Sequence, residues 1–160
     1  MPRLTFFVPI ALAAVAAAAL APLASSTPIA SDSDPHVVIG FRESFTGPST
    51  LAGTWIMAGA VSDSGTRTEQ LSIGPSQNGR DAAFTVVVDY QGSLGTFRLV
   101  GRGVLGPLGD RREAAEGTWE VAGGTGDYAG ATGEGSFAAT GDFATNDVIG
   151  TGEGVLRLAK

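Results

Sequence analysis

The sequence contains no cysteine, one histidine (His36) and one lysine (Lys160). Without cysteine there can be no disulfide, no thiol nucleophile and no thiolate ligand for zinc. One histidine is too few for a histidine-based metal site, and a serine nucleophile normally needs a histidine as its base. The lysine does not follow a glycine-rich loop of the phosphate-binding type. Most covalent, metal-dependent and nucleotide-dependent chemistry is therefore disfavoured.

Positive charge is also scarce, since 10 Lys and Arg residues stand against 16 Asp and Glu residues in a chain of 160. Nucleic acids and anionic membrane surfaces attract basic patches. The nearest approach to such a patch is the pair Arg111 and Arg112, which we interpret as a solvated turn. We therefore predict no nucleic-acid partner. The length of the chain corresponds to one domain.

The first 26 residues have the layout of a secretory signal peptide. Arg3 is their only charged residue, and it precedes an apolar run over residues 4–20. Small residues that suit cleavage of the signal peptide follow at 24–26, and residues 19–21 are an alternative cleavage site. An uncleaved anchor is the competing interpretation, although the run is shorter than the roughly 20 residues that a spanning helix needs. We predict export, a linker over 27–35 and a single domain over 36–160.

Period-two alternation of apolar and polar residues begins at His36, and no amphipathic helical pattern accompanies it. Turn signals such as Asn-Gly, Gly-Pro and Asp-Ser-Gly separate the apolar stretches. Eight strands of this kind can close into an antiparallel barrel whose interior is filled or holds one small ligand. The predicted strands are 36–45, 50–61, 66–73, 82–90, 96–105, 114–121, 132–139 and 147–158.

A segment dense in glycine, residues 123–135, separates two of the predicted strands. Glycine accepts positive φ and close backbone approach, so this segment predicts a tight, structurally demanding turn in which Asp127 and Tyr128 serve the turn itself. Its start resembles a calcium-binding nonapeptide, but the aspartate comes one position early and the motif occurs once. It also lacks the spacing of a dinucleotide-binding loop. We predict neither a metal nor a cofactor.

The sequence Gly-Gly-Thr-Gly-Asp-Tyr-Ala-Gly-Ala-Thr-Gly at 123–133 resembles a turn of the allene oxide cyclase-like barrels, the superfamily that includes the plant dirigent proteins. The resemblance implies an eight-stranded antiparallel barrel with a cavity, often in a homodimer or homotrimer. Some members cyclise or steer reactive small molecules. Dirigent proteins that steer radical coupling carry an arginine where this chain has Thr132, so here the turn indicates fold rather than dirigent activity.

Glu43 is the candidate catalytic residue, because it shares a predicted strand face with Phe41 and Phe45. A carboxyl group held in an apolar interior has a raised pKa and can act as a general acid or base near neutral pH. The alternative is that Glu43 lies at a barrel mouth or pairs with an arginine such as Arg42 or Arg98. If the barrel binds a ligand, we expect Glu43→Gln to leave folding intact and to weaken ligand binding or turnover.

Four further residues are candidates for ligand binding. Tyr90 shares an apolar strand face, and its hydroxyl could either bind a ligand or lie at the rim of the core. The other three are Trp55, Trp119 and Arg98. Two functions follow as hypotheses: a secreted barrel that binds a small apolar or amphipathic molecule, with or without cyclase-like steering, and a non-catalytic structural or interaction module with a filled barrel. A cavity lined by Glu43, Tyr90 and a tryptophan would favour the first.

Overall fold

The computed structural model describes residues 35–77, 80–109 and 111–160, and within them the predicted eight-stranded antiparallel β-barrel is confirmed. The predicted signal peptide and all of the predicted linker except Pro35 lie outside the described residues. The strands are β1 (His36–Phe45), β2 (Thr50–Gly59), β3 (Asp63–Gln77), β4 (Asp81–Gly92), β5 (Gly95–Gly109), β6 (Arg112–Gly124), β7 (Thr132–Asp142) and β8 (Asp147–Arg157), with a short 3-10 helix at Gly126–Tyr128 between β6 and β7.

Each strand pairs with the next along the chain, and β1 pairs with β8 to close the ring. All eight predicted strands are present, but β3 is much longer than predicted. It begins at Asp63 instead of residue 66 and ends at Gln77 instead of residue 73. Asp-Ser-Gly has the composition of a turn, yet here Asp63 already pairs with Met57 of β2. The chain reverses earlier, after Gly59, which has a positive φ of 119°.

The two ends of the barrel differ, and we call them the floor and the mouth. The floor carries the β2–β3, β4–β5 and β6–β7 connections, and the mouth carries the other four. Aromatic rings fill the barrel near the floor: Tyr90 and Phe97 stack with centroids 4.5 Å apart, and Trp55 packs edge-on against both. Offset and edge-to-face contacts of this kind stabilise apolar cores. The floor half of the barrel is thus filled by side chains.

Tyr128, a residue of the glycine-dense turn, closes the floor of the barrel. Its side chain is 0% exposed, and its hydroxyl donates a hydrogen bond of 2.9 Å to the carboxylate of Asp63. The same carboxylate accepts hydrogen bonds from the backbone N–H groups of Ser64 and Ser93 and from the Ser93 hydroxyl. Burial acts to raise the pKa of Asp63, but these hydrogen bonds outweigh it and lower the pKa to about 2.

The turn therefore does more than the sequence predicts, because Tyr128 joins it to the β2–β3 and β4–β5 connections through one carboxylate. Asp127 behaves as predicted: its side chain is exposed, and its backbone N–H donates to the carbonyl of Leu94.

Among the residues that the structure describes, no helix is long and apolar enough to span a membrane.

Candidate functional site

A cavity of about 230 Å³ occupies the mouth half of the barrel. Its wall is mostly apolar. At the mouth it is lined by Phe45, Pro48 and Phe143, and the two phenylalanine rings are stacked with centroids 5.8 Å apart. Deeper wall residues include Ile39, Leu71, Phe84, Val86, Leu99 and Phe137. The cavity thus offers an apolar pocket that is closed at the floor.

Four charged side chains interrupt this apolar wall: Glu113 of β6, and a cluster formed by Glu43, Arg67 and Glu69. Arg67 of β3 is 2% exposed, and its Nε lies 3.0 Å from Oε2 of Glu43 in β1. Its Nη2 donates a hydrogen bond to the carboxylate of Glu69, two residues further along β3. A buried arginine is tolerated only where nearby charges and hydrogen bonds offset its lost hydration, and these two carboxylates do so.

Strand register explains how residues of β1 and β3 meet across the intervening strand. Glu43 pairs with Gly53 of β2, and Gly53 in turn pairs with Arg67. A Cβ atom on residue 53 would lie 2.6 Å from the Cβ of Glu43. Only glycine leaves this position open, so the two charged side chains can reach each other over β2. Tyr90 of β4 continues the same row beyond Arg67.

Aromatic rings cover the guanidinium group of Arg67. The centroid of the Phe41 ring lies 3.9 Å from its Cζ, and that of the Tyr90 ring lies 5.2 Å away. Both distances are within the range of cation–π attraction. These rings hold the guanidinium in place, so the direction of its N–H groups is fixed before any ligand arrives.

Three polar atoms of this cluster lack a hydrogen bond among the described residues. One is Nη1 of Arg67, and the other two are Nε of Arg67 and Oε2 of Glu43, which face each other at an ion-pair distance but without hydrogen-bond geometry. Buried polar groups nearly always have partners, and an exception calls for an explanation. Because Arg67 and Glu43 both line the cavity, a polar atom of a bound molecule would satisfy them.

The environment of Glu43 favours its protonated form. Burial raises the pKa of Glu43; the charge of Arg67 opposes this, and the neighbouring carboxylate of Glu69 adds to it, so the pKa rises to about 8. Burial likewise raises the pKa of Tyr90 to about 12, which keeps the phenol neutral. At neutral pH the cavity therefore contains a carboxylic acid, a phenol and a guanidinium, all of which are hydrogen-bond donors.

This pKa predicts that stability falls as the pH rises. Between 4.5, the ordinary pKa of Glu43, and about 8, the unfolded chain releases a proton that the folded barrel retains. We expect the free energy of unfolding of the wild type, relative to Glu43→Gln, to decline across this window by on the order of a few kcal/mol. Urea unfolding of both proteins from pH 5 to pH 9 measures the difference, and parallel profiles would contradict it.

The structure brings Glu43, Tyr90 and Trp119 to the cavity wall, together with the unpredicted Arg67. Trp55 does not line the cavity. It is buried in the aromatic cluster near the floor, where its indole N–H donates to the backbone carbonyl of Thr66. The indole of Trp119 also donates to a backbone carbonyl, that of Ser136 at 3.0 Å, so each tryptophan is anchored to a neighbouring strand.

Arg98 does not reach the cavity. Its side chain is 55% exposed on the outer face of β5, where it donates two hydrogen bonds of 2.7 and 2.8 Å to Asp89. Its position on a polar strand face accounts for this, and Arg42 likewise binds Asp147 on the outside. Neither is therefore the partner of Glu43.

Arg67 and Glu69 were not among the predicted site residues, although the sequence carries a signal for them. Both share the period-two face of β3 with Leu71, whose apolar side chain marks that face as the inner one. Two charged residues on an inner strand face are unusual enough to indicate a site.

The described residues include no group of three or more His, Cys, Asp or Glu side chains that could hold a metal ion. The resemblance to allene oxide cyclase-like barrels stays an expectation drawn from the sequence. Comparison with protein-family models, curated proteins and solved structures finds no match to this chain.

Proposed function

We propose that this protein is exported and that its barrel binds a small amphipathic molecule. The apolar part of the molecule packs against the cavity wall near the mouth, and its polar end contacts Arg67 and Glu43. The observation that carries this proposal is the buried guanidinium of Arg67 at the wall of an apolar cavity, fixed by Phe41 and Tyr90 and with its Nη1 unsatisfied.

Energetics favour a binding role over a structural one for this cluster. Replacing a buried ion pair with apolar side chains of similar volume is often neutral or stabilising. A barrel that served only as a scaffold would gain nothing by keeping Arg67, Glu43 and Glu69 inside. The alternative, a non-catalytic module with a filled barrel, agrees with the packed floor but not with the cavity above it.

The size of the cavity limits the ligand. Pockets for drug-sized molecules have volumes of roughly 300 to 1,000 Å³, whereas this one measures about 230 Å³. The ligand is accordingly smaller, on the scale of a short aliphatic chain or of up to three aromatic rings. If such a molecule is reactive, the protonated carboxyl of Glu43 is placed to act as a general acid, which is how cyclase-like steering would proceed here.

Filling the cavity from its wall tests this function. Ala139 of β7 lines the cavity, whereas the neighbouring Ala138 faces outward. We expect Ala139→Phe to weaken binding of the uncharged apolar dye N-phenyl-1-naphthylamine by about tenfold or more, because its ring occupies the space that the dye needs. Ala138→Phe, the matched control, should bind the dye as the wild type does. Fluorescence titration measures both.

Equal dye binding by the two variants, or no binding by the wild type, would contradict the proposal. Native mass spectrometry of the purified wild type adds an independent readout, since a ligand acquired during expression would appear as a mass increment. That increment should be absent from Ala139→Phe and retained by Ala138→Phe.

A further inference from the structure

The charges around the cavity restrict the chemistry of the ligand's polar end. Arg67 is the only cationic side chain among the described residues that line the cavity, whereas Glu43, Glu69 and Glu113 are all acidic. Glu43 and Glu69 contact the guanidinium directly. Glu69 therefore already neutralises Arg67, and no second cation among the described lining residues is left to offset a negative charge on a ligand.

The geometry of Arg67 adds a second restriction. Its Nη2 is bound by Glu69, and its Nε faces Glu43 at an ion-pair distance without hydrogen-bond geometry. Nη1, which also lacks a hydrogen bond among the described residues, is the nitrogen left for a ligand. A carboxylate is held best by two parallel N–H bonds from neighbouring nitrogens, whereas a single oxygen needs one nitrogen only. The open position on Arg67 thus suits a single acceptor atom. Phe41 and Tyr90 prevent the guanidinium from turning away from its carboxylates.

A carboxylate ligand would in addition lose its hydration on entering this apolar cavity. That loss is recovered only by a cation able to pair with it, and Arg67 is shared between two glutamates. An uncharged carbonyl has a much smaller hydration to lose, and its oxygen accepts a hydrogen bond from Nη1. We propose that the ligand's polar end is an uncharged carbonyl, as in an amide, ketone or lactone, and that the barrel discriminates against a carboxylate of the same shape. This inference rests on the proposed function.

Octanamide and octanoate test the inference, because they have the same length and nearly the same shape but differ in charge. Each is titrated at pH 7 against wild-type protein loaded with N-phenyl-1-naphthylamine. We expect octanamide to displace the dye at a concentration about tenfold lower than octanoate, or lower still. Displacement by octanoate at the same or a lower concentration would overturn the inference and leave the proposed function standing.

Removing the glutamates should reverse the preference. In Glu43→Gln/Glu69→Gln, Arg67 keeps its position between two side-chain amides but is no longer neutralised. We expect the affinity for octanoate, relative to that for octanamide, to rise about tenfold or more above its wild-type value. Glu69→Gln alone should shift octanoate in the same direction and serves if the double variant does not fold. An unchanged ratio in a folded variant would overturn the inference.

The remaining outcomes are also decisive. If the dye binds but neither octanamide nor octanoate displaces it, the carbonyl assignment is wrong although the cavity binds apolar molecules. If the dye itself does not bind to the wild type, the proposed function fails, and the inference fails with it.

Discussion

Arg67→Met is expected to lower the free energy of unfolding by about 3 to 5 kcal/mol at pH 8, among the largest effects of any single substitution in this barrel. Methionine matches the aliphatic part of arginine and packs between Phe41 and Tyr90, so the loss is electrostatic rather than steric. Glu43 and Glu69, which Arg67 now compensates, would be left as unpaired carboxyl groups in an apolar wall. Urea unfolding followed by the fluorescence of the two buried tryptophans measures the change.

The cost of Arg67→Met should depend on pH. Without the guanidinium, the carboxyl group of Glu43 resists ionisation in the folded barrel even more than it does in the wild type, but it ionises freely in the unfolded chain. The variant's deficit should therefore grow as the pH rises above the ordinary glutamate pKa and shrink below about pH 4, where both states hold their protons. A deficit of the same size at pH 4 and pH 8 would show that packing, not charge, accounts for it.

Arg98→Met is the matched control, since Arg98 pairs with Asp89 on the outer face. Exposed ion pairs contribute little to stability, so this substitution should have almost no effect. A triple variant, Arg67→Met/Glu43→Leu/Glu69→Leu, should recover much of the stability lost by Arg67→Met, because no uncompensated charge remains. It should nevertheless fail to bind octanamide. If the triple variant recovered its stability and also bound octanamide, the ion cluster would not be needed for ligand binding.

The strand pattern was predictable because alternation with period two is a local property of the sequence. Val37, Ile39 and Phe41 face inward and Arg42 faces outward, as the alternation along β1 indicates. Glu43 was predictable for the same reason, since it lies on the inner face of its own strand.

The partner of Glu43 was not predictable in the same way, because the contact depends on register across three strands. Arg67 lies opposite Gly53, and Gly53 lies opposite Glu43. A shift of two residues in either pairing would keep both side chains on the inner face but would separate them along the barrel axis. Nothing local to residues 66–73 fixes that register, which the closure of the whole ring determines.

The position of a side chain along the barrel axis could not be predicted from the sequence either, and the two tryptophans illustrate this. Both lie on inner strand faces and both donate their indole N–H to a backbone carbonyl. Only Trp119 reaches the cavity, whereas Trp55 lies against Phe97 near the floor. Inward direction follows from alternation, but distance from the mouth follows from strand tilt and stagger, which are properties of the closed barrel.

Gly126→Val is expected to prevent folding or to lower the free energy of unfolding by more than about 4 kcal/mol, because it combines two separate penalties. Gly126 has a φ of 62°, a conformation that a β-branched side chain strongly disfavours. A Cβ atom there would also lie 2.5 Å from the backbone carbonyl oxygen of Leu94, which cannot move aside as a flexible side chain could. Thermal and urea unfolding measure the loss.

Gly109→Val separates the two penalties. Gly109 also has a positive φ, 84°, but a Cβ atom there would meet nothing within 4 Å. This variant should carry only the penalty of the disfavoured φ, so its free energy of unfolding should fall by roughly 1 to 3 kcal/mol. The excess at Gly126 measures the close approach that lets the turn carry Tyr128 inward to Asp63. If the two substitutions cost the same, the glycine-dense turn is required for its backbone conformation alone, and the contact with Leu94 does not hold the floor closed.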